Sequence, residues 1–233
     1  MSDSVTIRPV AILRTPFAGK FGVPRQSGLI PEAEGRVEFY PEFAAPEFVR
    51  GLETFSHVWL VTGFHQNPPW TGASTVRPPR LGGNERVGVF ASRAPNRPNG
   101  LGLTLVRLLA IEPGLLRVAG VDAVDGTPVY DIKPYIPWCE ALPHATADWV
   151  RAAPFVRGEE SVLIPMEVAA VLDEPTLRLL RQMLRLDLQP AYQADPGRTY
   201  GMTLSGWNIT WRPLPENRVV VVAAEKADRP VGA

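Results

Sequence analysis

The chain has 233 residues, enough for one large domain or for one domain with a small appendage. Apolar residues make up 45% of it and charged residues 21%, the balance of a globular protein, while a formal net charge of zero says nothing about a partner. A single cysteine, Cys139, excludes an intramolecular disulfide and a cysteine-rich zinc site.

Read from the start, MSDSVTI shows no charged region followed by an apolar core, so no signal peptide is expected. No apolar run approaches membrane-spanning length, and a cytoplasmic location without a membrane partner follows as an expectation. A first strand is predicted over Val5–Leu13. After it, FGVPRQSGL displays a fork donor, Arg25, and an amide, Gln26, behind Pro24. Phe55–Phe64 is the next predicted strand, and its run SHVWLVTGF lacks alternation, which predicts cover on both faces. His57 inside that run reads as a core or edge histidine. His65 closes it and opens into QNPPW, the kind of strand end on which sites are built. The two histidines lie eight apart with no cluster around them, so no metal site is expected.

Between Arg77 and Arg107 stand six arginines (77, 80, 86, 93, 97 and 107) against one acid, Glu85, which marks a region suited to face an anion. Only Lys20, Lys133 and Lys226 are lysines. Arginine offers a planar fork for carboxylate, phosphate or base edges. Predicted strands at Arg86–Ser92 and Leu103–Ile111 flank RAPNRPNG, a loop stiffened by proline that carries two guanidinium groups. Pro113 and Gly114 suit a tight turn into a strand at Leu115–Val124. VDAVDGTPVYDIKPY then sets Asp122, Asp125 and Asp131 around Gly-Thr-Pro, either a plain turn or groups shaped for a small polar ligand. Cys139, in YIPWCEALP, is expected to be a buried, inert thiol. Short apolar runs among 25 prolines and 20 glycines predict an all-β core, which closure into a barrel would relieve of exposed edges.

Past residue 155 the character changes. Asp173–Asp187 is the best helix: Asp173 can cap it, Pro175 suits its first turn, and Leu177, Leu180 and Leu184 form an apolar stripe. Arg178, Arg181 and Arg185 form a second stripe, open to solvent or to phosphate. Strands are predicted at Gly201–Arg212 and Arg218–Glu225, and the terminal KADRPVGA is expected to fray. The fold is therefore expected to be mainly β: a barrel domain over residues 1–154 and a smaller α+β domain over 155–233. No phosphate loop and no dinucleotide fingerprint is present, since NGLGLT has glycines without the spacing. The residues alone describe a barrel with an arginine-rich pocket built from loops.

FGVPRQSGL, RGLETFSHVWLVTGFHQ, TVRPPRLGGNERVGVFASRAPNRPNGLGLTLV, VDAVDGTPVYDIKPYIP and QPAYQADPGRTYGMTL, in that order, resemble the TrmO family, also known as TsaA-like or VirR-like proteins. The resemblance runs from near residue 12 to beyond 200. It implies a β-barrel methyltransferase that uses S-adenosylmethionine, works as a homodimer, and carries a C-terminal appendage. The implied reaction methylates N6 of N6-threonylcarbamoyladenosine at anticodon-loop position 37 of tRNA, chiefly threonine tRNA. Matched motif by motif, the cofactor contacts are Pro24, Arg25 and Gln26, then His65 and Gln66, Arg93, Leu103, and the turn Asp125, Gly126, Thr127, Pro128. Arg97, Asn99, Tyr192 and Arg198 are the expected substrate contacts, with Arg97 serving either the RNA or the partner subunit and Arg198 a phosphate contact. Two barrel strands are expected to flank the loop that holds Arg93 and Arg97 at the mouth of the site.

The attacking N6 bears a carbamoyl group, so its lone pair is delocalised and its proton must be accepted by some group. His65, Asp125 and Tyr192 are the candidates. Two positions depart from the family pattern: Gly100 stands where RPNPIG has proline, and Gly206 of SGWNITW stands where an acid is usual. The competing readings are a non-catalytic RNA- or nucleotide-binding barrel and a methyltransferase for another acceptor.

Overall fold

A computed structural model describes residues 5–78, 85–147, 150, 155–186 and 198–227. In chain order the first strands are β1 (Ala11–Arg14), β2 (Glu34–Phe39), β3 (His57–Gly63), β4 (Thr75–Val76), β5 (Val87–Gly88), β6 (Leu101–Glu112), β7 (Leu115–Ala119) and β8 (Thr127–Pro134). After the short helix α1 (Pro137–Glu140) come β9 (Val162–Leu163), α2 (Met166–Ala169), α3 (Glu174–Arg185), β10 (Tyr200–Leu204), β11 (Trp207–Leu214) and β12 (Arg218–Lys226). These elements fall into two compact units.

The first unit comprises Met1–Thr15, Gln26–Gly72 and Pro95–Ala141. Its six strands close into an antiparallel barrel in the order β1-β2-β7-β6-β3-β8, with β8 returning to β1. Alternation along each strand sends Leu13, Val37, Val58, Leu60, Val106, Leu116, Val118 and Val129 inward, none more than 1% exposed. Burial of each such side chain contributes about 1.5–3 kcal/mol, and closure leaves the barrel no unpaired edge.

The second unit comprises Pro16–Arg25, Ala73–Ala94 and Leu142–Ala233. It carries a four-stranded sheet, β10-β11-β12-β9, in which β9 runs parallel to β12, and a small β4-β5 pair. Thr176, Leu179, Leu180, Met183 and Leu184 form the buried face of α3, at helical spacing. The segment after β1 is built into this unit. Phe17 bridges to Leu204, and the Pro16 carbonyl accepts from the Ser205 N–H at 2.9 Å. Phe21 stacks on Tyr200, which stacks on Trp211 with ring centres 4.9 Å apart.

Several expected elements differ. β1 starts only at Ala11; Val5 and Ile7 are 83% and 51% exposed, with no inward face to alternate against. β2 and β8 lie where no strand was predicted. Arg86–Ser92 pairs only at Val87–Gly88 and then tightens into a turn over Val89–Ala91. Only one side of the arginine loop is thus a barrel strand, β6. Gly201–Arg212 is two strands, because Ser205 (φ 50°) and Gly206 (φ 78°) form the left-handed pair of a two-residue hairpin turn. Leu177 sits at the edge of the buried face of α3, whose centre is Leu180 and Met183. Cys139 is exposed on α1 rather than buried.

Candidate active site

Antiparallel register brings the ends of β1, β3 and β7 and the beginnings of β2, β6 and β8 to one rim of the barrel. That rim is polar within an apolar fold. Thr15, Thr62, Thr104 and Thr127 are all less than 8% exposed there. Thr15 Oγ1 donates to the Ala123 carbonyl at 2.9 Å, and Thr127 Oγ1 to the Val124 carbonyl at 2.7 Å. Thr104 Oγ1 donates to Asp122 Oδ1 at 3.0 Å. Buried hydroxyls matched in this way fix loops rather than weaken the core.

Glycine lets the chain close up at the same rim. A Cβ on Gly63 would stand 2.8 Å from Tyr130 Oη and 3.1 Å from Pro128 Cγ, and one on Gly102 would stand 2.6 Å from Thr62 Oγ1. The turn Asp122–Gly126 is held at both ends. Asp125 Oδ1 accepts from the Thr15 N–H at 2.9 Å, and the Gly126 N–H donates to the Leu13 carbonyl at 3.0 Å. Arg14 Nη1 lies 3.7 Å from Asp125 Oδ2. Both carboxylate oxygens of Asp125 therefore face a donor.

The structure gathers most of the sequence-derived candidates of the first unit here. His65 and Gln66 follow β3, exposed, with the His65 N–H on the Gly63 carbonyl at 2.9 Å. A Cβ at Gly126 (φ 78°) would stand 3.8 Å from His65 Nε2, so the imidazole faces the Asp125–Pro128 turn. Leu103 points outward from β6 and is 59% exposed, which suits an apolar contact for a ligand. Gln26 lies two residues before Gly28, whose N–H bonds the Gly120 carbonyl just past β7. Ahead of β6, Arg97 is half-buried, and Asn99 (φ 64°) and Gly100 (φ 58°) make consecutive left-handed residues. The Gly100 N–H donates to the Arg97 carbonyl at 3.2 Å, and its carbonyl accepts from the Phe64 N–H at 2.9 Å. The arginine loop is thereby tied to the end of β3.

Other candidates belong to the second unit. Pro24 is buried and Arg25 exposed. Arg93 is exposed beside a turn in which Ser92 Oγ donates to the Val89 carbonyl at 2.9 Å and accepts from the Ala94 N–H at 3.3 Å. The Arg198 guanidinium lies 5.6 Å from the centre of the Tyr200 ring. Tyr192 lies outside the described residues. Of the four threonines sequence reasoning singled out only Thr127; it missed Thr15, Thr62, Thr104 and Arg14. Their signal was position, a hydroxyl or a guanidinium near one end of a β run, which is visible only once the strand ends are known. Within the first unit, a braced carboxylate turn, an imidazole and the half-buried Arg97 can orient a polar ligand and accept a proton beside it.

Comparison with known proteins agrees with that chemistry. The model of the tRNA-methyltransferase O N-terminal domain matches residues 12–141, and that of the TrmO C-terminal domain matches residues 162–227. The chain is 40% identical to a tRNA (adenine(37)-N6)-methyltransferase of Escherichia coli K12, over 90% of this chain and 94% of that one. It is 42% identical to a putative S-adenosylmethionine-dependent methyltransferase, RcsF, of Pseudomonas aeruginosa, over 91% and 94%. A crystal structure of TrmO from P. aeruginosa superimposes with a TM-score of 0.80 at 34% identity, covering 97% of this chain and 99% of that one.

Proposed function

This chain belongs to the tRNA-methyltransferase O family, and from that premise we propose how it acts as an S-adenosylmethionine-dependent tRNA (adenine37-N6)-methyltransferase. The acceptor is N6-threonylcarbamoyladenosine at position 37, chiefly in threonine tRNA. The enzyme works where tRNA is used, in the cytoplasm; no described helix is long and apolar enough to cross a membrane. It acts as a homodimer, a reading supported by apolar side chains such as Trp59, Val61 and Leu105 on the outer face of the barrel.

The residues fit the cofactor. Gly126 leaves open the space beside His65 Nε2 that a Cβ would enter, and the neighbouring carboxylate is braced. Arg25 and Arg93 would take the cofactor carboxylate, Gln26 and Gln66 its polar edges, Leu103 its apolar face, and Asp125–Pro128 its hydroxyl and ammonium groups. Pro24 sets the conformation ahead of Arg25. When bound, S-adenosylmethionine supplies an electrophilic methyl carbon on a cationic sulfur.

The protein's own part is positioning and proton transfer, because an in-line displacement depends chiefly on alignment. Asp125, with a donor at each oxygen, serves as a brace. His65, exposed at the rim, is then the acceptor of the N6 proton, delivering it to water after methyl transfer. Arg97, Asn99, Tyr192 and Arg198 hold the RNA: residues 1–154 bind the cofactor and add Arg97 and Asn99 to the RNA contacts, and 155–233 contact the tRNA. The observation that carries this reading is the convergence of His65, Gln66, Leu103 and Asp125–Pro128 on one barrel rim.

The test is incubation with S-adenosylmethionine and threonine tRNA carrying or lacking the threonylcarbamoyl group, followed by mass spectrometry of the nucleosides. Methyl gain on the modified tRNA alone is the expected result. Equal gain on both would replace the proposed acceptor with unmodified adenine 37.

A further inference from the structure

Glu38, on β2, sits between two guanidinium groups. Arg36 Nη2 is 3.0 Å from its Oε1, and Arg14 Nε is 3.0 Å from its Oε2. Arg14 then reaches Asp125 Oδ2 at 3.7 Å, and Asp125 Oδ1 takes the Thr15 N–H. The line Arg36–Glu38–Arg14–Asp125 thus crosses from β2 over β1 to the turn ahead of β8. Register explains the acid in the middle: Arg14 and Arg36 are direct cross-strand partners, and like charges in that position repel. Glu38, two residues on and on the same face, separates them.

The inner half of this line differs from an ordinary surface pair. The side chains of Arg14 and Asp125 are 31% and 11% exposed, against 77% and 65% for Arg50 and Glu47, so water and salt screen it less. It also ends on the turn that brackets His65. We propose that Arg14 is a positioning residue for the cofactor: through Asp125 it keeps the Asp125–Pro128 turn in the shape that receives S-adenosylmethionine. This rests on the assignment of that turn to the cofactor. A turn ordered beforehand loses less freedom on binding.

Arg14→Met keeps most of the aliphatic stem and removes the fork; Arg14→Lys restores the charge without the ability to serve Glu38 and Asp125 together. Amide hydrogen exchange on the full chain reads the brace, and steady-state kinetics read its consequence. In Arg14→Met, exchange rises at Thr15, Gly126 and Thr127 and stays unchanged along β3 and β6. KM for S-adenosylmethionine rises about threefold to tenfold, the cost of ordering one or two groups, while kcat and KM for tRNA hold. Arg14→Lys falls between wild type and Arg14→Met. Unchanged exchange at Gly126 and Thr127 in a folded variant overturns the proposal, as does a uniform rise through the barrel. Exchange that rises at the turn with KM for the cofactor unmoved would leave the brace standing and remove the cofactor from that turn.

Discussion

At position 63 the backbone of β3 passes so close to β8 that a methyl group has nowhere to go. A Cβ there meets Tyr130 and Pro128 on the neighbouring strand, both part of the barrel wall under the site. Gly63→Ala should therefore destabilise the fold by about 1–3 kcal/mol, as overpacking does, measurable as a fall in the urea midpoint at unchanged slope. Because Pro128 closes the turn proposed to receive the cofactor, affinity for S-adenosylmethionine should drop in the same variant. Arg93 is the contrasting case. Its side chain is exposed and its turn is held by Ser92, so Arg93→Ala should fold normally and lose cofactor affinity in calorimetry. A folded Arg93→Ala protein that binds as tightly as wild type would take Arg93 out of the site.

Elements carry their own consequences. The family pattern has proline where this chain has Gly100, yet Gly100 lies at φ 58°, which proline cannot adopt, and its N–H is bonded to Arg97. Gly100→Pro should thus cost about 1 kcal/mol or more and lower activity rather than restore a family feature; a gain in melting temperature would contradict this. At the start of α3, Asp173 Oδ1 accepts from the Thr176 N–H at 2.8 Å. Its carboxyl is held below the ordinary 3.8, first by the Thr176 hydroxyl, then by the Thr176 N–H, with the Lys226 charge assisting and burial opposing. A depressed folded pKa stabilises above the unfolded value and is lost as pH falls through the folded one. Asp173→Ala should cost about 1 kcal/mol near neutrality, with the difference from wild type shrinking below pH 3.8 in denaturation curves.

Capping and apolar period made α3 legible from sequence, as unbroken apolar runs did β3 and β6. β2 was not, since EGRVEF spends its outer face on charges and presents only Gly35 and Val37 inward. β8 hid behind acids and prolines that belong to its outer face and to the turn before it. The candidate site was read motif by motif, but its brace was not. Arg14 and Glu38 stand far apart in the chain, and only strand register makes them neighbours.

For the whole molecule, zero net charge conceals a division of labour between arginines. Arg185 is spent within the protein, on Glu159 at 3.1 Å and on the Arg157 carbonyl at 3.0 Å, whereas Arg181 and Arg198 are exposed. Phosphate contacts by such exposed arginines release counterions, so raising salt from about 50 to 200 mM should weaken tRNA binding by orders of magnitude. Cofactor binding at the proposed site, which would involve far fewer charges, should change far less. Filter binding and calorimetry across a salt series check the contrast, and a flat tRNA response would rule out a phosphate-led interface.

The chain also imposes an order on its own making. Residues 16–25 leave the ribosome long before residues 204 and 205, so Phe17 finds Leu204 and Pro16 finds Ser205 only when β10 and the turn after it have been synthesised. The second unit can start its sheet early in no version of that sequence of events, whereas every strand of the barrel has emerged by Pro134. A nascent chain stalled before β10 carries Phe17, near the start of the connection from β1 to β2, without its cover, a state in which chaperone contact is most useful.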